Sequence, residues 1–320
     1  MAALSETAPG KGAAAGNKGM SERRREELLG YLFVSPWVIG FLIFTLGAMV
    51  FSLGLSTYES DLLSESKFVG LGNYTKMFDP ETLSGELFPK ALGVTFFYTL
   101  LVVPFATVVA LCIALLLNQK IWPLSFWRTV YYLPAVVSGV AVALLWGWVL
   151  NPEFGLLNQG LQALGVTTLP RWFASEEWAV PGLVLIALWG TGTNMLLYLA
   201  GLQSVPTEVQ EAARMDGAGN LGVFFNVTLP LLTPTIFFNV VMNIIGSFQV
   251  FTNAYVLTAG GPNNATLTMV LYIYREGFQM FHFGYASALA WVLFLIILVF
   301  TLLIVRSSAA WVYYEGGLRR

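Results

Sequence analysis

Six stretches of this chain are each long and apolar enough to cross a lipid bilayer, and none carries Asp, Glu, Lys or Arg: Tyr31–Leu55, Ala91–Leu117, Thr129–Leu150, Ala179–Gln203, Leu231–Tyr255 and Tyr285–Val305. About 20 mostly apolar residues suffice for a helix to span the hydrocarbon core. Lipid offers no hydrogen-bond partner, so the backbone of each span must satisfy itself, as a helix does. The pattern predicts an all-α integral membrane protein of six transmembrane helices. Composition agrees, because 11% charged residues against about 25% in a soluble domain cannot cover a water-facing surface. The net charge of −2 is uninformative by itself, and no basic run suits nucleic acid.

The first residues are a different material. Met1–Met20 is an Ala/Gly/Lys segment without periodicity and reads as disordered. A tail over 1–28 is expected, followed by a membrane domain over 29–320. Arg23, Arg24 and Arg25 precede a run too long for a signal peptide and lacking a clear cleavage site, which reads as a retained anchor. Basic residues flank the spans unevenly. Lys11, Lys18, Arg23, Arg24, Arg25, Lys120, Arg128, Arg214, Arg306, Arg319 and Arg320 fall on one side, and Lys67, Lys76, Lys90, Arg171 and Arg275 on the other. By the positive-inside rule both termini are cytoplasmic. Cys112, the single cysteine, reads as a small buried residue. His282 has no Cys, Asp or Glu at ligand spacing and reads as a surface histidine. The stretch LYIYREGFQMF is expected to lie flat at the outer interface.

Between the fourth and fifth spans the chain turns polar. Glu208, Glu211, Arg214 and Asp216 crowd the loop 204–230. At roughly 2.5–3.5 kcal/mol per charge at mid-bilayer, burying all four unpaired would cost on the order of 10 kcal/mol, so this segment stays outside the hydrocarbon. Ser204 is a candidate cap and Pro206 suits a first helical turn, while Val209, Ala212, Ala213 and Asp216 share one stripe. Gly217 and Gly219 end this helix. Asn220 then caps a second one over Leu221–Thr228, which Pro230 closes before the fifth span. An ordinary amphipathic loop would show the same propensities.

The spacing goes further than propensity. Glu211-Ala212-Ala213, Gly217, Val227 and Leu229-Pro230 resemble the EAA loop in the membrane subunits of ATP-binding cassette importers. SPWVIGFLIFT (35–45), FVGLGNY (68–74), NPEFGLLN (151–158), GLQSVPTEVQEAARMDGA (201–218), GSFQVF (246–251) and GGPNNAT (260–266) are similar to the carbohydrate-uptake branch, nearest its maltose- and glycerol-phosphate-type first permease. That resemblance implies a type I importer permease core with a cytoplasmic coupling helix, in which Glu208, Glu211, Ala212, Ala213, Arg214, Asp216 and Gly217 face an ATPase. It implies a plasma-membrane subunit that is not itself an enzyme and binds no cofactor. ATP and Mg would be used by two ATPase partners, and a second permease and an extracytoplasmic sugar-binding protein would complete the assembly. The chain has no G-x-x-x-x-G-K-[ST] phosphate loop of its own.

A charge-free pathway can still be polar. The fourth span carries Trp189, Thr191, Thr193 and Asn194, and the fifth carries Asn239, Asn243, Ser247, Gln249, Thr252 and Asn253 beside Phe248, Phe251 and Tyr255. Hydroxyls and amides beside flat rings suit a sugar, but such groups equally hydrogen-bond neighbouring helices. By position, the resemblance places the sugar near Gly190, Thr191 and Asn194 on one side of the coupling loop and near Ser247, Gln249, Phe251 and Asn253 on the other. Two other classes stay open. A secondary transporter is disfavoured by the uncharged spans, and an intramembrane lipid-linked glycosyl enzyme by acidic residues (Asp61, Glu65, Asp79, Glu81) without metal-like spacing.

Overall fold

The computed structural model describes residues 18–61, 65–119 and 122–313, with side chains from residue 24 onward. The expected disorder of residues 1–17, Lys11, Lys120, Arg319 and Arg320, and the side chains of Lys18 and Arg23, lie outside what is described. Two compact units divide the chain, one ending at Gly54 and the other beginning at Leu55.

The first unit is helical: α1 (Lys18–Gly40), a π-helical turn (Phe41–Gly47) and α2 (Ala48–Leu55). Helix therefore begins inside the segment that composition assigned to the tail, because SERRREELL is a strong helix former once a span follows it. Pro36 interrupts α1 without ending it. A proline has no N–H for the carbonyl four residues back, and here the Ser35 hydroxyl donates to the Leu32 carbonyl at 2.8 Å instead.

In the second unit a short hairpin, β1 (Tyr58–Glu59) with β2 (Lys67–Phe68), pairs Tyr58 with Phe68 and Glu59 with Lys67. Then come α3 (Gly72–Lys76), α4 (Leu83–Leu117), α5 (Leu124–Val136), α6 (Gly139–Val149), α7 (Leu156–Ala163), α8 (Glu176–Trp189) and α9 (Gly192–Gln203). The loop segment holds α10 (Thr207–Met215) and α11 (Asn220–Val223), followed by a π-helical turn (Phe224–Thr228) and α12 (Leu229–Phe248). The chain ends through α13 (Thr252–Thr258), α14 (Met269–Tyr274), a third π-helical turn (Arg275–Gln279) and α15 (Phe283–Trp311).

Among the described residues four helices are long and apolar enough to cross a membrane (Arg24–Leu55, Leu83–Leu117, Asn220–Thr258 and Phe283–Trp311), or up to six if each of two bent pairs counts as one span. The third and fourth spans are thus not the continuous helices their composition suggests. Leu124–Val136 and Gly139–Val149 meet at 103°, and Glu176–Trp189 and Gly192–Gln203 at 46°. The first break falls at Val137 and Ser138, both extended in ψ, before Gly139. The second falls at Gly190–Thr191.

Pro230 does not end a helix as expected. Leu229 is helical (φ −64°, ψ −45°) and the chain runs on from the π-helical turn into α12. The wider turn leaves room for the ring that an α-helical turn would clash with. Pro234, further along, leaves the Pro230 carbonyl without its N–H, and the Thr233 hydroxyl donates to it at 2.6 Å.

The core is a helix bundle centred on α4. Its buried stripe reads Phe88, Ala91, Thr95, Tyr98, Val102, Ala106, Ala110, Ala114 and Leu117, at three- and four-residue spacing. Small residues on this face let α9 and α12 approach closely, while Phe97, Leu100, Phe105 and Val108 face outward. Thr95 donates to the Ala91 carbonyl at 2.8 Å and accepts the Met269 N–H at 2.9 Å, so one buried hydroxyl ties α4 to the start of α14. Cys112 is exposed rather than buried, on the outward side of α4. Lipid makes such a position as apolar as a core, so apolar context did not imply burial.

Candidate functional site

Contacts link the three interrupted helices. A Cβ on Gly192 would lie 2.5 Å from the Tyr131 carbonyl oxygen and 3.0 Å from the Tyr132 Cα, so only glycine lets α9 begin against α5. A Cβ on Gly139 would meet the Thr252 methyl at 3.5 Å, which sets the start of α6 beside the start of α13. Asn194, one turn into α9, donates to Asn243 of α12 at 2.7 Å. Breaking a helix in lipid is tolerated only where the freed groups find partners or line a cavity. At the α12–α13 break the Thr268 hydroxyl takes the Val250 carbonyl at 2.9 Å.

The positions proposed for the pathway therefore fall around these breaks, with unequal freedom. Thr191 and Ser247 are buried and donate within their own segments, to the Leu188 and Ile244 carbonyls. Asn194 is committed to Asn243, Gln249 is exposed at the end of α12, and Asn253 is half-buried. Phe251 stacks on Tyr255 (5.3 Å, 11°) and tilts against Tyr274 (5.2 Å), which itself stacks on Phe278 (5.6 Å). Across the α6–α8 contact, Trp146 and Trp189 meet edge to face at 5.9 Å. Asn243 was among the polar residues of the fifth span but not among the positions placed nearest the sugar, and Tyr274 was not a candidate. Asn243 repeats the amide chemistry of Asn194 from the facing helix, a signal that was available. Nothing in the spacing places Tyr274, which comes from a loop.

The loop over the outer end is tightly bent. Ala259, Asn263 and Asn264 all adopt positive φ, between 45° and 58°. Arg275 holds them by donating to the Ala259 carbonyl and, at 2.8 Å, to Asn264 Oδ1, and its burial lowers its pKa. Asn263 donates to Glu176 Oε1 at 2.6 Å. His282 is the surface histidine expected, but it is not alone, since its Nδ1 lies 2.9 Å from Glu276 Oε2. The expected spacing test missed a pair six residues apart, which the π-helical turn brings together. No metal-binding cluster of His, Cys, Asp and Glu occurs among the described residues.

On the charged hairpin, α10 exposes nearly everything it has. Glu208, Glu211, Arg214 and Asp216 face solvent with Val209 and Ala212, and Met215 is 88% exposed. The stripe expected to form an inner face has only Ala213 half-buried. Ser204 belongs to the preceding helix, donating to the Gly201 carbonyl at 2.8 Å, and Pro206 occupies the N-cap of α10. Gly219, not Asn220, is the N-cap of α11. The end of α10 is as expected: Gly217 has φ +88°. The Gly217 N–H bonds the Arg214 carbonyl and the Ala218 N–H bonds the Ala213 carbonyl, both at 3.0 Å. This paired 5→2 and 6→1 closure requires a left-handed residue, which glycine supplies without a Cβ penalty.

A membrane bundle with interrupted, polar-lined helices, and a rigid polar helix displayed between two of its spans, has the build of a transport subunit. The chain belongs to the family of binding-protein-dependent transport system inner membrane components, whose model matches residues 88–311. It is 41% identical to the probable ABC transporter permease protein YesP of Bacillus subtilis over 96% of this chain and 98% of that one. It is 34% identical to the lactose transport system permease protein LacF of Rhizobium radiobacter, covering 88% and 95%. The arabinooligosaccharides permease AraP of Bacillus subtilis is also 34% identical, covering 88% of each chain. Among solved structures, a chain of a bacterial alginate ABC transporter in complex with alginate pentasaccharide-bound periplasmic protein superposes with a TM-score of 0.76 at 25% identity, covering 90% of this chain and 96% of that one.

Proposed function

We propose that this chain is the membrane-spanning permease subunit of an ATP-driven, binding-protein-dependent sugar importer, moving a mono- or oligosaccharide or a related polyol or sugar phosphate by alternating access. The observation that carries it is the exposed, rigidly terminated α10 joined directly to α9 and, through α11, to α12. Those two helices carry Asn194, Asn243 and the residues leading to Phe251. A push on α10 is thereby delivered to the polar level of the bundle. Relatives named for lactose and arabinooligosaccharide transport favour a sugar. Amide groups offer hydrogen bonds to hydroxyl edges, and the Phe251–Tyr255–Tyr274 rings offer faces to C–H surfaces.

ATP and Mg are assigned to two cytoplasmic ATPase subunits that receive Glu208, Glu211, Ala212, Ala213, Arg214, Asp216 and Gly217. The chain itself binds no cofactor in this reading. A second, similar permease completes the pathway, and an extracytoplasmic sugar-binding protein delivers the substrate. Both termini are cytoplasmic.

Two experiments test these assignments. Reconstituted with its partners, the transporter should import sugar with sugar-stimulated ATP hydrolysis. Asn194→Ala and Phe251→Ala should each weaken import by about tenfold at low substrate, the loss of roughly 1–1.5 kcal/mol of contact, with assembly intact. Normal import in both variants would move the sugar elsewhere. For orientation, cysteines at Glu81 and Asn263 should react with an impermeant thiol reagent in intact cells, and one at Asn220 only after the membrane is opened. Labelling of the Asn220 site from outside would invert the topology.

A further inference from the structure

Arg128 flanks the apolar window of the third span in sequence, but α5 starts at Leu124 and sets this residue one turn inside a helix. It lies on the packed face of α5. Leu124, four residues earlier, packs on the buried cluster of Ala114, Leu117, Leu199 and Leu202, and the Tyr131–Tyr132 backbone abuts Gly192 of α9. Arg128 is half-buried on this stripe, with its Nε enclosed. Residues 105–119, 123–136, 192–203 and 229–248 contain no Asp or Glu, so α5 and the helices beside it offer the guanidinium no carboxylate. The next carboxylates along the chain, Glu208, Glu211 and Asp216, face solvent from α10.

The exposed side of the same segment fixes its depth in the membrane. Trp122, Phe126, Trp127, Tyr131 and Tyr132 are all exposed, and Trp122 is 92% so. Trp and Tyr collect where hydrocarbon meets the lipid headgroups. Long side chains on a helix lean toward its N-terminus, which carries the guanidinium back toward the level of Leu124 and the Trp122 ring. Charges at such depths pair with other groups. The anion at headgroup level is phosphate, and the planar guanidinium fork matches two of its oxygens. A choline or ethanolamine headgroup would bring a cation of its own, for which these helices hold no carboxylate. A headgroup of net negative charge has no such mismatch.

We propose that the start of α5, with α9 behind it, binds one anionic phospholipid. Arg128 holds the phosphate, and the acyl chains lie along the exposed Phe126, Val130 and Leu133 on the outer side of α5. The site requires only a bilayer and does not rest on the sugar-import reading.

The test is native mass spectrometry of the assembled transporter released from bilayers of phosphatidylglycerol and phosphatidylcholine in equal amounts. The wild type should keep phosphatidylglycerol in preference, and Arg128→Gln should bind one such lipid about tenfold more weakly, the loss of a charge-assisted contact. Arg128→Lys keeps the charge without the fork and should fall between the two. If Arg128→Gln does not assemble, the comparison of wild type with Arg128→Lys decides. Arg306→Gln removes an exposed arginine near the end of α15 and should match the wild type. Equal retention of the two lipids by the wild type, or equal losses in Arg128→Gln and Arg306→Gln, overturns the site. Displacement of the lipid by inorganic phosphate would make the ligand a free anion and overturns it too. A carboxylate of a partner subunit against Arg128 in a map of the complex does the same.

Discussion

Gly217→Asp is expected to abolish sugar-stimulated ATP hydrolysis while the permease still inserts in the membrane. Gly217 has φ +88°, where an L-residue is disfavoured by roughly 1–2 kcal/mol. Substitution would strain the paired closure through the Arg214 and Ala213 carbonyls and let the end of α10 unwind. A Cβ there meets nothing within 4 Å in this chain, so the fold tolerates the extra atoms. The harm falls on the surface offered to the ATPase, where a side chain and an added negative charge beside Asp216 obstruct docking. The measurement is ATPase activity in proteoliposomes containing all subunits, with and without sugar-loaded binding protein. Glu211→Ala, which removes one exposed charge and no backbone constraint, should reduce stimulation only in part. Normal stimulation in Gly217→Asp would show that this hairpin does not carry the coupling.

Gly192→Val should cost the protein its assembled state. The added Cβ would meet backbone atoms of Tyr131 and Tyr132 at 2.5 and 3.0 Å, and backbone cannot rotate out of the way. α9 would have to lift from α5. Overpacking of this kind commonly costs about 1–3 kcal/mol or more. Recovery of the intact complex on size exclusion after mild heating should fall steeply, and Gly246→Ala, whose Cβ meets nothing within 4 Å, should behave as wild type. Equal recovery of the two variants would mean that α5 and α9 are not held by this approach.

Several features were legible before any coordinates. Long uncharged apolar windows dictate membrane helices because lipid leaves no other way to satisfy the backbone. The charges of the loop 204–230 predicted a helix outside the hydrocarbon that ends at Gly217, and the hydrogen bonds of Gly217 and Ala218 close it there.

Other features were decided only in three dimensions. Apolar composition cannot distinguish a lipid-facing side chain from a core one, since both are apolar, so Cys112 was misplaced and the buried stripe of α4 emerged only from its packing. The breaks at Val137–Ser138 and Gly190–Thr191 lie in runs whose hydropathy is uninterrupted. Beside them α6 packs against α13, and α9 begins so close to α5 that a Cβ on Gly192 would lie 2.5 Å from the Tyr131 carbonyl oxygen. Polar residues in the spans were visible one by one. Whether an amide is spent on a neighbour, as Asn194 is on Asn243, or left with an open acceptor, as Asn239 is, depends on which helix lies opposite. The sequence by itself determined which segments must be helical and which must leave the membrane, because transfer of charge and backbone into lipid is a local cost. Partner choice among those helices is a matter of packing between residues far apart in the chain, and only the tertiary structure decided it.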